Sequence, residues 1–491
     1  MTTRTAEAKT PPKLSREMGL FRSWAAAFGF VSIATGIFTA YGAMLNTSGY
    51  AGIWTWVIVA VGQFCVALLF GILASRIPFT GYSYQWVSRL TNPVFGWIMG
   101  WLAFAFLSVV AVAVDYTVAS TILPALIGPV SALDAWVITA AIMLIQFALV
   151  AGSTRGALRV NGIAVVFELI GVVGLIVLLF AVGAINGGMH IDNLFDTAPI
   201  PAQNYFAIGT WDQVGPWMLA TLLGSFTIVG FETAANLAEE TKNPQRVVPK
   251  AMLLSVGSVG ILGMLLLIVV TTLGGDPAEL AASPTPIADV VSATLGPVVG
   301  TALLIFVIMS IFSCGLMIML SNSRLIWAMS RDQRFPGWRM FARVSPRFGT
   351  PFAAAVLVLV LGQAILAVFA NATDALFVLF AAGSLIPALI YAGTVGMYLF
   401  KRRSLPSAPE GALKIPRWLE VLAAVIATAW LIFELSIFRD ASFAAPWTYV
   451  AIMLGVGAVY LVFLLVTRGG PKGMTMPDLT SIDATFEEPS K

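Results

Sequence analysis

The chain is 491 residues long, 59% hydrophobic and only 10% charged, against about 25% charged residues in a soluble domain, so composition excludes a water-soluble globule. A net charge of +3 without a dense basic tract excludes a nucleic-acid surface. One histidine, His190, and two cysteines in apolar runs, Cys65 and Cys314, leave little material for a metal centre, a disulfide framework or a Ser/His/Asp triad.

A hydrocarbon core about 30 Å thick requires about 20 apolar residues per helix. The polar, basic start (residues 1–22) precedes a first apolar run that lacks a small-residue cleavage site, so it reads as a span and not as a secretory signal. Apolar runs near 23–45, 52–74, 97–124, 135–152, 162–185 and 216–238 predict six spanning helices. Runs near 250–273, 297–325, 352–370, 375–399, 418–437 and 446–466 predict six more. With the N-terminus placed in the cytoplasm, 26 of the 27 lysines and arginines fall on the inner side and only Arg439 on the outer. This bias predicts twelve spans in a cell membrane with both termini inside. Lys401-Arg402-Arg403 fits a stop-transfer tract or a contact with anionic lipid.

Span one reads Phe28-Gly-Phe-Val-Ser-Ile-Ala-Thr-Gly-Ile-Phe38, with Gly29 and Gly36 around Ser32 and Thr35. Span six reads Gly224-Ser-Phe-Thr-Ile-Val-Gly-Phe-Glu232, with two glycines around Thr227 ahead of an acid. Glycine weakens a helix by about 1 kcal/mol relative to alanine. Polar, glycine-interrupted segments at corresponding places in two halves point to a transporter site. Close helix packing is the alternative reason for such glycines. Their matching register, five spans apart, favours two broken helices in a five-plus-five inverted repeat.

Two long stretches carry a family resemblance: Gly230-Phe-Glu-Thr-Ala-Ala-Asn-Leu-Ala-Glu-Glu-Thr-Lys-Asn-Pro244 with Pro249, and Ser323-Arg-Leu-Ile-Trp-Ala-Met-Ser-Arg-Asp332 with Pro336 and Thr350-Pro351. Ile77-Pro-Phe-Thr-Gly-Tyr-Ser-Tyr-Gln-Trp86 adds to them. Over roughly residues 20–465 the chain resembles the amino acid/polyamine/organocation (APC) permeases, in the branch of amino acid, choline and gamma-aminobutyrate permeases. The resemblance implies an all-α membrane protein of the leucine-transporter (LeuT) fold with helices one and six discontinuous. It divides the chain into a ten-helix core (23–400), two peripheral helices (401–467) and cytoplasmic tails (1–22 and 468–491). It implies that the backbone of Thr35, Gly36 and Ile37, with the Thr35 hydroxyl, meets a substrate carboxylate. Carbonyls of Ser32, Phe226 and Val229 would meet an ammonium group, with Thr227 and Gly230 beside them. Phe226 takes the place of a gating aromatic and Glu232 that of an acid in the arginine/agmatine antiporter.

Four acids fall inside predicted spans: Asp115, Glu168, Glu232 and Glu434. An ionised acid at a helix centre costs about 2.5 to 3.5 kcal/mol on insertion scales, so each should face protein or water. Asp115 shares a helical stripe with Ser108, Ala111 and Ala119, and Glu168 one with Asn161, Ala164 and Gly171. Glu168 stands where proton-coupled relatives often carry lysine; it either exchanges a proton during transport or stays protonated and bonds a neighbouring helix. Glu232 gates or couples, or caps freed amides. Asp115 meets a cationic head group or bonds another helix, and Glu434 pairs with Arg439. Sodium, the rival coupling ion, would draw on Ser310 and Ser313 beside Cys314, and a thiol suits a hard cation poorly. Proton coupling or exchange therefore stands ahead of sodium.

The expected function is secondary active transport of an amino acid, with no enzymatic activity, no cofactor and no metal. Choline, ethanolamine or a polyamine is the rival cargo, for which Tyr41, Phe226 and Phe231 would supply an aromatic cage. A channel or transporter-like receptor is less favoured, because no ring of repeated pore residues appears.

Overall fold

In a computed structural model the structure describes residues 16–369 and 375–468. The predicted tails lie largely outside these residues. Among the described residues the chain is almost entirely helical, without a strand, and ten helices are long and apolar enough to cross a membrane. The first predicted span is two helices, α1 (Leu20–Val31) and α2 (Ile33–Ser48). There follow α3 (Thr55–Arg76), a shorter buried α4 (Tyr82–Leu90), α5 (Pro93–Thr117), α6 (Ala132–Gly152) and α7 (Thr154–Asn186). The sixth predicted span is also interrupted, as α8 (Pro216–Thr227) and α9 (Thr233–Asn236). The rest comprises α10 (Pro244–Leu273), a short α11 (Pro286–Leu295), α12 (Pro297–Arg331), α13 (Phe352–Phe369), α14 (Ala375–Lys401), α15 (Arg417–Ile437) and α16 (Ala444–Thr467).

Side-chain caps, not the limits of apolar runs, start α2, α5, α6 and α7. Asn92 accepts from Val94 N–H at 2.8 Å with Pro93 at the first helical position. Ser153 accepts from Gly156 N–H at 3.1 Å and starts α7 eight residues before its predicted apolar run. The interrupted first segment and α5 are buried along 78% and 89% of their most apolar windows, α16 along 17%. The broken helices therefore lie inside the bundle and α16 at its lipid-facing edge.

The two interrupted segments cross in direct contact. A Cβ on Gly36 would lie 2.2 Å from Thr227 Oγ1, and one on Gly230 would lie 1.9 Å from the Phe30 ring. Each break thus holds a glycine where the other segment leaves no room for a side chain. Gly36→Ala overpacks this crossing and should lower stability by about 1 to 3 kcal/mol, measured by thermal unfolding in detergent. Thr227→Gly in the same chain should restore part of the loss.

At the end of the bundle bearing the basic loops, the chain before α1 is stitched to the chain after α9. Glu17 and Met18 N–H donate to the Glu240 carbonyl at 2.9 and 3.0 Å, and Lys242 N–H donates to the Met18 carbonyl at 2.9 Å. Beside this seam the fully buried Arg324 gives Nε to Glu240 Oε1 at 2.8 Å and a second nitrogen to Thr154 Oγ1 at 2.6 Å. Arg331 forks onto both oxygens of Glu239 at 2.9 and 2.7 Å, while Tyr84 and Gln85 donate to Asp332 Oδ2 at 2.8 and 2.9 Å. Removing one partner of a buried pair strands the other charge, at a cost of about 3 to 5 kcal/mol. Glu240→Gln should therefore destabilise by that amount, read by the same unfolding assay; a loss below about 1 kcal/mol would show that Arg324 finds another partner.

Candidate functional site

The first break turns on Ser32, whose φ of 40° lies in a region that side-chain-bearing residues rarely adopt. Such backbone costs about 1 to 3 kcal/mol and persists only where its surroundings enforce it. Ser32 N–H closes α1 on the Phe28 carbonyl at 2.8 Å. Its hydroxyl donates to Glu168 Oε1 at 2.9 Å and accepts from Thr35 N–H at 3.1 Å. Ala34 N–H also donates to Glu168 Oε1, at 3.1 Å. Glu168, reaching in from α7 and 1% exposed, thus sits at the start of α2, where the helix dipole favours an acid.

The second break has the same construction from other residues. Ile228 N–H ends α8 on the Gly224 carbonyl at 2.7 Å, and Gly230 takes a φ of +90°. Gly230 N–H donates to the Tyr391 hydroxyl at 3.2 Å, and that hydroxyl donates to Glu232 Oε2 at 2.6 Å. The helix resumes as Thr233 N–H bonds the Gly230 carbonyl at 3.0 Å. Among the described residues the carbonyls of Phe226 and Val229 accept no hydrogen bond. The break in span one is held by an acid of span five, and that in span six by a phenol of span ten. In a five-plus-five repeat these are corresponding helices.

A cavity of about 390 Å³ descends from the end opposite the basic loops, between α2, α8 and α14. Thr39, Ala43, Leu219 and Leu222 face it, Asp440 and Ser442 lie at its rim, and Phe226 forms its floor. The Phe226 ring packs edge-on against Phe380, with centroids 4.4 Å apart. At the rim, partial burial pushes the Asp440 carboxyl up, but N–H bonds from Val214 at 2.8 Å and Ser442 at 3.0 Å outweigh it and hold the group below its ordinary range.

The structure gathers most of the expected residues here: Ser32, Thr35, Gly36, Phe226, Thr227, Val229, Gly230, Glu168 and Glu232 line the two breaks or their contacts. The amides foreseen for a carboxylate are engaged within the chain, Thr35 N–H with the Ser32 hydroxyl and Gly36 N–H with the Ser32 carbonyl at 3.1 Å. Ile37 is fully buried one residue beyond them. Asp115 bonds neither break; Gln146 on α6 donates to its Oδ1 at 2.8 Å, the helix-to-helix bond foreseen as one alternative. Its Oδ2 has no partner among the described residues.

Other expectations are corrected. Glu434 does not pair with Arg439, which gives its guanidinium to the carbonyls of Ile208, Thr210 and Ser436. Arg439 lies in the turn past the end of α15 at Ile437, while Glu434, within the helix, points into the bundle, 1% exposed. The aromatic cage is not assembled. Tyr41 bonds Thr271 at 2.9 Å and Phe231 packs on Phe70 and Tyr391, away from the Phe226–Phe380 pair. Of the foreseen sodium ligands, Ser313 donates to Asn161 Oδ1 at 3.0 Å, and the neighbouring Cys314 thiol donates to the Phe30 carbonyl at 2.9 Å.

Tyr391, Phe380 and Gln146 were not foreseen. Hydropathy reads an aromatic ring in an apolar run as filler; only the rule that a buried phenol seeks a partner singles out Tyr391.

Comparison with known proteins agrees with this geometry. Residues 18–469 match the amino acid permease family. An uncharacterized amino-acid permease of Schizosaccharomyces pombe is 27% identical over 71% of the chain, and the chain covers 64% of that protein's length. The branched-chain amino acid permease BcaP of Lactococcus lactis is 26% identical over 78% of the chain and 82% of its own. An uncharacterized transporter of Mycobacterium tuberculosis is 26% identical over 71% and 73%. The APC resemblance read from the motifs holds, and with a match running across every described span the chain belongs to the amino acid permease family.

Proposed function

We propose that the protein is a secondary transporter that carries an amino acid through the membrane by alternating access, and not an enzyme. One observation carries the reading: two broken helices meet where an apolar-walled cavity ends on the Phe226 ring. Helix N-termini favour anions and freed carbonyls favour cations, so the breaks offer one pole for each end of an amino acid. Thr35, Gly36 and Ile37 form the carboxylate pole, and the carbonyls of Ser32, Phe226 and Val229, beside Thr227 and Gly230, the ammonium pole. Phe226 gates the cavity. An amino acid is favoured over choline because Tyr41 and Phe231 are committed elsewhere.

In this reading residues 23–400 form the transport core, 401–467 the peripheral helices, and 1–22 and 468–491 tails on the cytoplasmic face of the cell membrane, as the basic loops require. The coupling ion is a proton, or transport proceeds by exchange. Glu168 is the coupling group because its carboxylate holds Ser32 and Ala34 at the mouth of α2, where its charge state governs the break. Glu232 and Tyr391 hold the second break, and Asp115 is a subsidiary acid.

Purified protein should be stabilised by at least one amino acid and not by its decarboxylated amine. A ligand at 100 times its dissociation constant adds about 2.7 kcal/mol, and proteoliposomes should exchange labelled for unlabelled solute with saturation. Stabilisation by the amine alone, or a flux that does not saturate, would refute the proposal. Glu168→Gln should abolish uptake driven by a proton gradient while exchange continues; unchanged gradient-driven uptake would remove Glu168 from coupling.

A further inference from the structure

At the basic end, Glu17, Arg22, Arg155, Arg159 and Lys242 surround a pocket of about 280 Å³. Arg155 is engaged by Glu17. The side chains of Arg22, Arg159 and Lys242 have neither a carboxylate partner nor a hydrogen bond among the described residues. These three cations come from separate parts of the fold: the start of α1, the second turn of α7 and the linker into α10. Their mutual repulsion favours an anion bound between them.

A second cavity, of about 480 Å³, adjoins the first and shares Arg22 and Arg159 with it. Its other walls are apolar, chiefly Phe21, Leu158, Ile163, Val166 and Phe167. Along α7 the residues 159, 162, 163, 166 and 167 recur at helical spacing, so one face begins with a guanidinium and continues as bare apolar side chains. Ile163, Val166 and Phe167 are 58, 40 and 54% exposed, as suits a surface turned to hydrocarbon. From Arg159 to Phe167 the face descends about 12 Å. A soluble anion would use the basic pocket and leave the groove uncovered. An amphiphile with a phosphate head and a fatty tail covers both.

We propose that this paired pocket binds an anionic phospholipid, its phosphate among Arg22, Arg159 and Lys242 and one acyl chain lying in the groove from Phe21 to Phe167. Basic pockets between spanning helices are suited to anionic headgroups, and each nearby cation contributes about 1 kcal/mol, or about fivefold in affinity. The site touches the seam where Lys242 N–H bonds the Met18 carbonyl, so a bound headgroup bridges the two chain segments that the seam joins.

The test uses the full-length protein in mixed micelles of neutral detergent and phosphatidylcholine, titrated with phosphatidylglycerol, with retained lipid counted by native mass spectrometry. Phosphatidylglycerol should be retained in preference to phosphatidylcholine. Arg22→Gln and Arg159→Gln should each weaken it by about fivefold, as should Lys242→Gln, an exposed position whose exchange leaves the fold intact. Lys414→Gln, an exposed position in the linker before α15, should change nothing. Equal retention of both lipids would overturn the proposal, as would wild-type affinity in the Arg22→Gln/Arg159→Gln protein. Full displacement by inorganic phosphate would show a simple anion site instead. Lipid retention that appears only after residues 2–15 are removed would assign the pocket to that segment and also overturn it. The readout needs no transport substrate, so it stands or falls apart from the transport proposal.

Discussion

A peptide group left without a partner in hydrocarbon costs several kcal/mol, and that cost shapes the centre of this protein. Interrupting a helix frees amides on one side of the gap and carbonyls on the other. The amide side is answered in both gaps by a side chain from far along the sequence, Glu168 for the first and Tyr391 for the second. Because the answering groups sit on fixed neighbouring helices, the gaps hold defined shapes, including the positive φ of Ser32. The carbonyl side is less fully answered, with the Phe226 and Val229 carbonyls left open, and the proposed function assigns these to the ammonium group.

The two motif stretches that mark the family have their explanation at the basic end. One supplies Glu239 and Glu240, the other Arg324, Arg331 and Asp332, and the structure joins them in buried and half-buried ion pairs. The loop motif after α3 belongs to the same knot through Tyr84 and Gln85. Three segments distant in sequence therefore describe one closure at one end of the bundle, while the open cavity lies at the other.

Much of this was legible in the residues. Apolar runs marked the spans because lipid demands length and hydrophobicity. Paired glycines around hydroxyls marked the breaks, although only Gly230, with its positive φ, serves a break directly, while Gly29, Gly36 and Gly224 make room for close neighbours. Helix ends were less visible, as α7 shows: its first two turns are polar, yet a serine cap starts the helix well before the apolar run. Partnerships were least visible. Nothing local connects Tyr391 to Glu232, or Gln146 to Asp115, and the short spacing of Glu434 and Arg439 invited a pairing that is lost because the helix ends between them and Arg439 bonds carbonyls instead. Hydropathy reports what faces lipid, whereas these contacts are decided by what faces protein.

The absence of clearance between Gly36 and Thr227, and between Gly230 and Phe30, has a mechanical consequence. At each point a bare glycine of one segment meets a side chain of the other, Thr227 or Phe30, so neither segment moves toward the other without displacing that side chain. In the proposed transport cycle a tilt imposed on one segment is therefore handed to the other. Under that proposal, motion that uncovers one mouth of the protein is geared to motion at the opposite mouth.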